Sequence, residues 1–327
     1  MIRIFAHANY DFLGVRRAAY VVTAAVALPG LLTLAVRGAN YSIDFTGGTL
    51  IELQAHSPAI GDASLRQALV SSGFPGAEIQ TFGTPNEWVI RARLEEAPEA
   101  EAESTERTAI AVDSALVRAF GPGTYTIVRT EAVGPKVGGE LRQKALTAIL
   151  LSFLGTLVYL AFRFEWRFGL GAVAATAHDI LLTLSFIALL DIEVSLVVVA
   201  AILTIVGYSL NDTIVVFDRV RENLRKYRRQ HMMEILNLSV NETLPRTLMT
   251  GTTTLLATLA LLAFGPTSIH GFAAVMTFGI VVGTFSSIYI ASPILLAIER
   301  RWPGEDARGA RALAPRPGTV PSRQPAS

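Results

Sequence analysis

Charged and strongly polar side chains interrupt three stretches of this 327-residue sequence that are otherwise apolar. Asn211 and Asp212 stand together in one stretch. His178 and Asp179 lie in a second, and Arg246 begins a third. A charge near the centre of a membrane-spanning helix costs about 2.5 to 3.5 kcal/mol, so such a residue needs either a partner or a function. These five residues are therefore the candidate functional residues of the chain.

Asp212 and Arg246 have the chemistry of a proton relay. Burial raises the pKa of a carboxyl group from about 3.9, whereas a neighbouring guanidinium lowers it. An Arg246 that moves away from Asp212 and returns would make the acid take up and then release a proton. If water reached the acid from the two sides in turn, protons would cross the membrane there. Asn211 belongs to the same site, and His178 and Asp179 are secondary candidates.

The same residues also allow a structural interpretation. Asp212 and Arg246 could form a static buried ion pair that holds two helices together. Asn211 could supply a hydrogen bond between helices, and His178 with Asp179 could form a packing hydrogen bond. The residue types alone leave both interpretations open.

Composition indicates a membrane protein. The mean hydropathy of +0.44 and the apolar share of 51% are both too high for an ordinary soluble chain. About 20 residues of helix are needed to cross about 30 Å of hydrocarbon. Six stretches meet this requirement, and we predict spans at 18–36, 144–162, 169–190, 194–217, 245–264 and 271–298.

Missing residue types and motifs exclude several classes of function. The chain has no cysteine, which excludes thiolate nucleophiles, CxxC redox pairs and disulfides. It also lacks a GxxxxGKS/T phosphate loop, an HExxH motif and a GxSxG motif. We therefore expect no metal, no cofactor and no enzymatic activity, and we expect no nucleic-acid partner.

Basic residues predict the orientation of the spans. Four groups of them precede span 1, separate spans 2 and 3, and follow spans 4 and 6. All four groups fall on one side, which should be the cytoplasm. The N-terminus (1–17) and a disordered tail (299–327) then lie inside. The basic amphipathic segment 218–244 should contact anionic lipid there. Its apolar residues are expected on the inner membrane surface: Ile235, Leu236, Leu238 and Val240.

Segment 38–140, between spans 1 and 2, has the pattern of a folded exterior domain. Strands are predicted at 49–54, 78–82, 88–94 and 125–133, with helices at 62–71 and about 98–119. The order β-α-β-β-α-β is typical of a ferredoxin-like α+β domain. The predicted fold is thus an α-helical polytopic membrane protein with six transmembrane helices and one small α+β domain.

Glycines and one proline indicate a joint and several close helix contacts. A hinge between the exterior domain and span 2 is predicted at four positions: Gly134, Pro135, Gly138 and Gly139. Small residues also let helices approach closely. Such contacts are expected at Gly207, Gly279 and Gly283.

Over nearly its whole length the sequence resembles the SecF family of bacterial protein-export subunits, which belongs to the RND superfamily. The resembling stretches are Tyr41-Ser-Ile-Asp-Phe-Thr-Gly-Gly48, Val133-Gly-Pro-Lys-Val-Gly-Gly-Glu140, Ala177-His-Asp179, Tyr208-Ser-Leu-Asn-Asp-Thr-Ile-Val-Val-Phe-Asp-Arg-Val-Arg-Glu-Asn223, Arg246-Thr-Leu-Met-Thr-Gly-Thr-Thr-Thr254 and Gly283-Thr-Phe-Ser-Ser-Ile-Tyr-Ile290. The first of them is a family motif outside span 1, with Asp44, Gly47 and Gly48. The resemblance carries the proton-coupling roles onto Asp212 and Arg246.

The resemblance also implies a fold and a set of partners. It implies an RND-type half with a SecD partner that supplies six further spans, in the bacterial inner membrane. It further implies action on exported, unfolded polypeptides beside the SecY/SecE/SecG channel, with YajC as a further partner and the proton-motive force as the drive. The small exterior domain favours SecF over SecD.

Two other functions remain open from the sequence. A scaffold that stabilises the export channel would use Asp212 and Arg246 only to hold helices together. An RND-type exporter of small molecules or lipids would need a larger exterior domain with a substrate cavity, for which about 100 residues leave little room.

Overall fold

The computed structural model describes residues 9–81, 84, 86–92 and 101–304. Its helices are α1 (Arg16–Arg37), α2 (Ile43–Thr46), α3 (Asp62–Ser71), α4 (Glu101–Phe120), α5 (Pro135–Arg163), α6 (Trp166–Leu189), α7 (Leu196–Lys226), α8 (Met232–Phe264), α9 (His270–Ser286) and α10 (Ser292–Arg301). Its strands are β1 (Gly48–Ala55), β2 (Glu78–Thr81), β3 (Glu87–Ala92) and β4 (Tyr125–Val133).

Six helical segments in the described part of the chain are long and apolar enough to cross a membrane. Five are α1, α5, α6, α7 and α8, and the sixth span is the continuous segment His270–Arg301. The six predicted spans are therefore confirmed, with helices that extend beyond several of the predicted bounds. The largest extension is in α8, which begins at Met232 and not at 245. Helix α7 continues from the apolar stretch to Lys226, and its last turns are charged yet keep a buried apolar side.

Residues 48–133 form the α+β domain, a four-stranded antiparallel sheet in the order β2-β3-β1-β4. Ile51 of β1 lies opposite Ile90 of β3 and Thr130 of β4. The apolar side of the sheet packs against α3 and α4 through fully buried residues: Ile51, Leu53, Leu65, Ile90 and Leu116. The predicted order of elements is confirmed. Parts of the predicted elements lie outside the described residues, namely Phe82, residues 93–94 and residues 98–100.

The N-terminal part of α8 differs from the sequence expectation. Met232–Phe264 is one helix, and it includes the second half of the segment expected to lie on lipid. Ile235, Leu236 and Val240 are buried in the main core beside Leu13 and Phe217. Their apolar side is covered by protein, because the chain before α1 and the end of α7 pack against it.

The sixth span changes its helical geometry in the middle. Residues Ser287–Ala291 form a π-helical turn between α9 and α10. Pro293 follows two residues later and has no backbone N–H to donate to a carbonyl one turn back. The Ser292 hydroxyl also donates to the Ser287 carbonyl, at 3.1 Å. The proline thus gives a local reason for the irregular turn.

Two glycines of α9 bring that helix against α7. A Cβ at Gly279 would lie 2.2 Å from Ile205 Cδ1, and a Cβ at Gly283 would lie 2.9 Å from Ser209 Cβ. The predicted close contacts at these two positions are confirmed. Gly207 differs, because nothing lies within 4 Å of its added Cβ.

In the predicted tail, residues 299–301 belong to α10, and the remainder from 305 onwards lies outside the described residues.

Candidate functional site

Asp212 lies where α7, α8 and the sixth span meet. The Thr247 hydroxyl donates to Asp212 Oδ1 at 2.5 Å, and the Ser287 hydroxyl donates to Asp212 Oδ2 at 2.6 Å. A hydroxyl can either donate or accept a hydrogen bond. The partners of Asp212 therefore suit both the charged carboxylate and the neutral acid.

Arg246 and Asn211 lie beside this site with exposed side chains. Arg246 is near enough for its charge to act on Asp212. Within the part of the chain that the structure describes, however, the ion pairs do not include Arg246. Asp212 and Arg246 thus lie at one site but form no direct ion pair there. Thr247, the residue after Arg246, is the one that bonds Asp212.

Asp179 forms a second buried acidic centre on α6, with 1% of its surface exposed. Its Oδ2 accepts a hydrogen bond from the Ser286 hydroxyl at 2.7 Å and another from the Ser209 hydroxyl. Its Oδ1 lies 2.9 Å from Nδ1 of His178, whose Nε2 lies 3.4 Å from the Thr23 hydroxyl of α1. The neighbours of Asp179 are two hydroxyls and one imidazole.

Two consecutive serines of the sixth span bond one acid each. Ser286 donates to Asp179 and Ser287 donates to Asp212, and the π-helical turn begins at Ser287. These serines and Ser209 were not predicted as site residues. The only signal for them was their position within the resembling stretches. Their residue type gave none, because a serine in an apolar helix usually bonds its own backbone.

The acids lie at different depths in the bundle. Asp179 precedes the end of α6 at Leu189 by ten residues, which is roughly 15 Å of helix. Asp212 follows the start of α7 at Leu196 by sixteen residues, roughly 24 Å from the same side. Asp179 is thus the nearer of the two to the α+β domain.

The motif residues after α1 lie at the junction between the α+β domain and the bundle. Asp44 accepts a hydrogen bond from the backbone N–H of Leu196, the first residue of α7. Gly47 and Gly48 have φ of 70° and 127°, which side-chain-bearing residues rarely adopt. The motif therefore forms a tight turn beside Asp44, which lies at the N-terminal end of α7.

The four predicted hinge residues are found at the start of α5. Gly134 is extended and precedes Pro135, the first helical residue. Gly138 and Gly139 lie within a continuous helix. Gly138 has a contact role, because a Cβ there would lie 2.9 Å from the backbone nitrogen of Gly47. Gly134 is therefore the one of these four residues that lies outside the helix. A hinge at this position stays a prediction.

The described residues contain no group of three or more His, Cys, Asp or Glu side chains that could hold a metal ion. The acids of the bundle are grouped with hydroxyls, which can pass a proton by reorienting. The chemistry available at the site is therefore protonation and deprotonation.

Two family models match the chain. The model described as "Protein export membrane protein SecD/SecF, C-terminal" matches residues 112–301, which is more than half of the sequence. The model described as "SecD/SecF GG Motif" matches residues 33–59. The first match includes Asp179 and Asp212, and the second includes Asp44, Gly47 and Gly48.

Proteins that are similar to this chain over most of its length are named as SecF or SecDF. A Protein translocase subunit SecF from Gemmatimonas aurantiaca is 54% identical over 316 residues, which cover 96% of this chain and 94% of the relative. A protein of the same name from Escherichia coli O157:H7 is 40% identical and covers 88% of each chain. The crystal structure of SecDF from Thermus thermophilus, described as translocon-associated, matches with a TM-score of 0.80 at 37% identity. That match covers 90% of this chain and 39% of the SecDF chain, so this chain spans about two fifths of SecDF.

Proposed function

The chain belongs to the SecD/SecF family of protein-export membrane proteins, and from this premise we propose that it is one half of a proton-driven machine for protein export. In this proposal SecD is the other half, and the pair assists polypeptides through the SecY/SecE/SecG channel, with YajC as a further partner. The α+β domain lies outside the cytoplasmic membrane, both termini lie inside, and protons move inward by way of Asp212.

The observation that carries the proposal is the pair of hydroxyls on Asp212. Thr247 and Ser287 each bond one carboxylate oxygen. A static ion pair would hold the acid in its charged form, whereas hydroxyls can remain bonded after the acid takes a proton, because one of them can then accept. The arrangement therefore supports an acid that changes its charge during a working cycle.

An exposed polar face beside Asp212 supports a partner subunit. Asn211, Arg246 and Thr250 all have exposed side chains in this chain, and polar side chains within a membrane span usually face other helices rather than lipid. Gly207, with open space at its Cβ position, lies one helical turn from Asn211. A second set of helices, contributed by SecD, would cover this face and give Arg246 a partner.

Asp179 fits the proposal as the acid that a proton reaches first from outside. It lies nearer than Asp212 to the α+β domain, and Ser286 and Ser287 lead from one acid to the other. His178 could pass a proton to Asp179 Oδ1, which lies 2.9 Å from its Nδ1. The order of transfer would then be His178, Asp179, the two serines and Asp212.

The test is the substitution Asp212→Asn in the full chain with its SecD partner. We expect gradient-dependent export to fall by at least about tenfold, equivalent to about 1.4 kcal/mol of activation free energy, while subunit assembly stays normal. Asp218→Asn is the matched control, because Asp218 lies on the same helix near the charged end and pairs with Arg163. Undiminished export in Asp212→Asn would remove this acid from the mechanism.

The scaffold alternative has a different signature. If Asp212 and Arg246 only held helices together, removing either charge would impair assembly, and exchanging the two residues would restore it. The hydroxyl partners of Asp212 favour the relay, which predicts normal assembly with lost coupling in both single variants and no rescue by the exchange.

A further inference from the structure

The segment that follows α1 is bonded to the link between α6 and α7. In this docking segment, residues 40–44, the Ser42 N–H donates to the Val194 carbonyl at 2.9 Å, and the Val194 N–H donates to the Asn40 carbonyl at 2.7 Å. Tyr41 and Val194 thereby form a parallel β-bridge. The approach to the α+β domain is thus joined to the chain just before α7.

The carboxylate of Asp44 completes the N-terminal cap of α7. Leu196, the first residue of α7, donates its N–H to Asp44 Oδ2 at 2.8 Å. Ser195 caps the same helix by accepting from the Val198 N–H at 3.3 Å. The first N–H groups of a helix have no partner within the helix, and a negative charge near them is favoured by the helix dipole. Asp44 therefore bonds α7 as a cap residue would, from 152 positions away.

A buried arginine connects the sheet to the same link. Arg91 of β3 is 9% exposed and pairs with Glu193 at 2.5 Å. It also pairs with Glu78 of β2 at 3.1 Å and donates to the Asn40 side chain at 3.3 Å. One guanidinium thus joins two strands, the docking segment and the residue before Val194.

Helix α7 is suited to pass on a displacement. It is continuous from Leu196 to Lys226 and contains no proline, and it bears Asp212 roughly 24 Å from its capped end. The covalent routes into the α+β domain are different. The chain enters from α1, which contains Pro29, and it leaves into α5, most of whose membrane-spanning length is exposed in this chain.

We propose that the docking segment is a permanent joint between the α+β domain and the helix that carries Asp212, with Asp44 as the positioning residue that holds the end of α7. Movement of α7 around Asp212 would then reach the α+β domain directly, and the two would move as one body. The existence of the joint is a physical claim about this chain. Its use in export rests on the function proposed above.

Distance measurements test the joint without reference to export. Spin labels at Gln67 and Glu222, both exposed, report the α+β domain and the far end of α7 in the full chain with its partner. Asp44→Ala should broaden the distance distribution, whereas Asp44→Asn, which keeps an acceptor oxygen, should leave it narrow. Asp62→Ala is the matched control, because Asp62 is an exposed carboxylate that pairs only locally with Arg66. An unchanged distribution in Asp44→Ala would overturn the joint.

A cross-link tests whether the joint stays closed. The sequence has no cysteine, so Tyr41→Cys with Val194→Cys introduces one unique pair at the β-bridge. Export by this variant should be the same before and after oxidation. When Asp44→Ala is added, gradient-dependent export should fall by about fivefold, and oxidation should restore it. A cross-link that stops export would show that the joint must open, which would overturn the proposal.

The two sets of results separate the joint from the relay. If Asp212→Asn leaves export unchanged but Asp44→Ala broadens the distances, the relay is wrong and the joint stands. If Asp212→Asn stops export while Asp44→Ala changes neither distances nor export, the relay stands and the joint is wrong.

Discussion

Buried and half-buried carboxylates in the middle of the bundle differ from those at its ends. Asp212 and Asp179 are bonded by serine and threonine hydroxyls, with one imidazole beside Asp179. Glu193, in the link near the α+β domain, pairs with Arg91 at 2.5 Å. At the opposite end of the bundle, Glu299 is 5% exposed and pairs with Arg167 at 2.9 Å.

The difference follows from what each partner can do. A guanidinium stays charged at any working pH and only donates, so it favours a carboxylate that stays charged. A hydroxyl can donate to a carboxylate or accept from a carboxylic acid. The ends of the bundle are therefore constructed from fixed charges that hold elements together, and its centre from groups that tolerate a change of charge. Four predictions test this contrast.

The largest expected effect comes from removing both hydroxyls on Asp212. In Thr247→Val with Ser287→Ala, each carboxylate oxygen loses its partner, at about 1 to 3 kcal/mol per unsatisfied group. We expect gradient-dependent export to fall by at least about tenfold. Thr252→Val with Thr277→Val is the matched control on the same two spans. If the double variant exports as well as this control, the hydroxyls do not serve the acid.

The largest expected effect on stability, as distinct from export, comes from removing the fixed charge at the junction. Arg91→Ala leaves the half-buried Glu193 without its cation, and we expect the free energy of unfolding of the α+β domain to fall by about 2 kcal/mol. The fluorescence of Trp88, a buried residue of β3, reports this unfolding once Trp166 and Trp302 are replaced by Phe. A shift no larger than that of Arg66→Ala would show that the junction does not depend on this charge.

The pH dependence of Glu193 should be smaller still. Burial raises its pKa above the ordinary value, and the nearby Arg91 only partly opposes the shift. The folded chain then binds this proton more tightly than the unfolded chain, so stability falls as pH rises from about 4.3 through the raised value.

Glu193→Gln removes this pH dependence. We expect the variant to match the parent near pH 4 and to be more stable at pH 7, by less than about 1 kcal/mol, in denaturant titrations at both pH values. A loss of stability that is larger at pH 7 than at pH 4 would mean that the ion pair with Arg91 outweighs burial.

The smallest effect is expected at an exposed pair. Asp62 and Arg66 form an ion pair at 3.2 Å with about half of each side chain exposed. Arg66→Ala should change the free energy of unfolding by about 0.3 to 0.5 kcal/mol, and less at high salt. A loss above about 1 kcal/mol in denaturant titration would show that exposure is a poor guide to the strength of ion pairs in this domain.

The sequence was sufficient for the elements but not for their junctions. The spans could be predicted because lipid requires about 20 apolar residues in succession, and the strands because turn residues and β-branched runs alternate. The docking of residues 40–44 could not be predicted, because its bonds join residues about 150 positions apart. The prediction that Ile235 and Leu236 face lipid was also wrong. An apolar helix face indicates burial but does not say whether lipid or protein covers it.

By itself the sequence determined that this chain crosses a membrane six times, has an α+β domain after the first span and contains Asp212 in an apolar helix. Those properties follow from local composition, because lipid excludes uncompensated charge wherever it occurs. Only the tertiary structure decided that Thr247 and Ser287, 35 and 75 positions from Asp212, bond its two oxygens. Contacts between helices depend on how closely the helices approach and which sides face each other, and here glycines such as Gly279 and Gly283 set that approach.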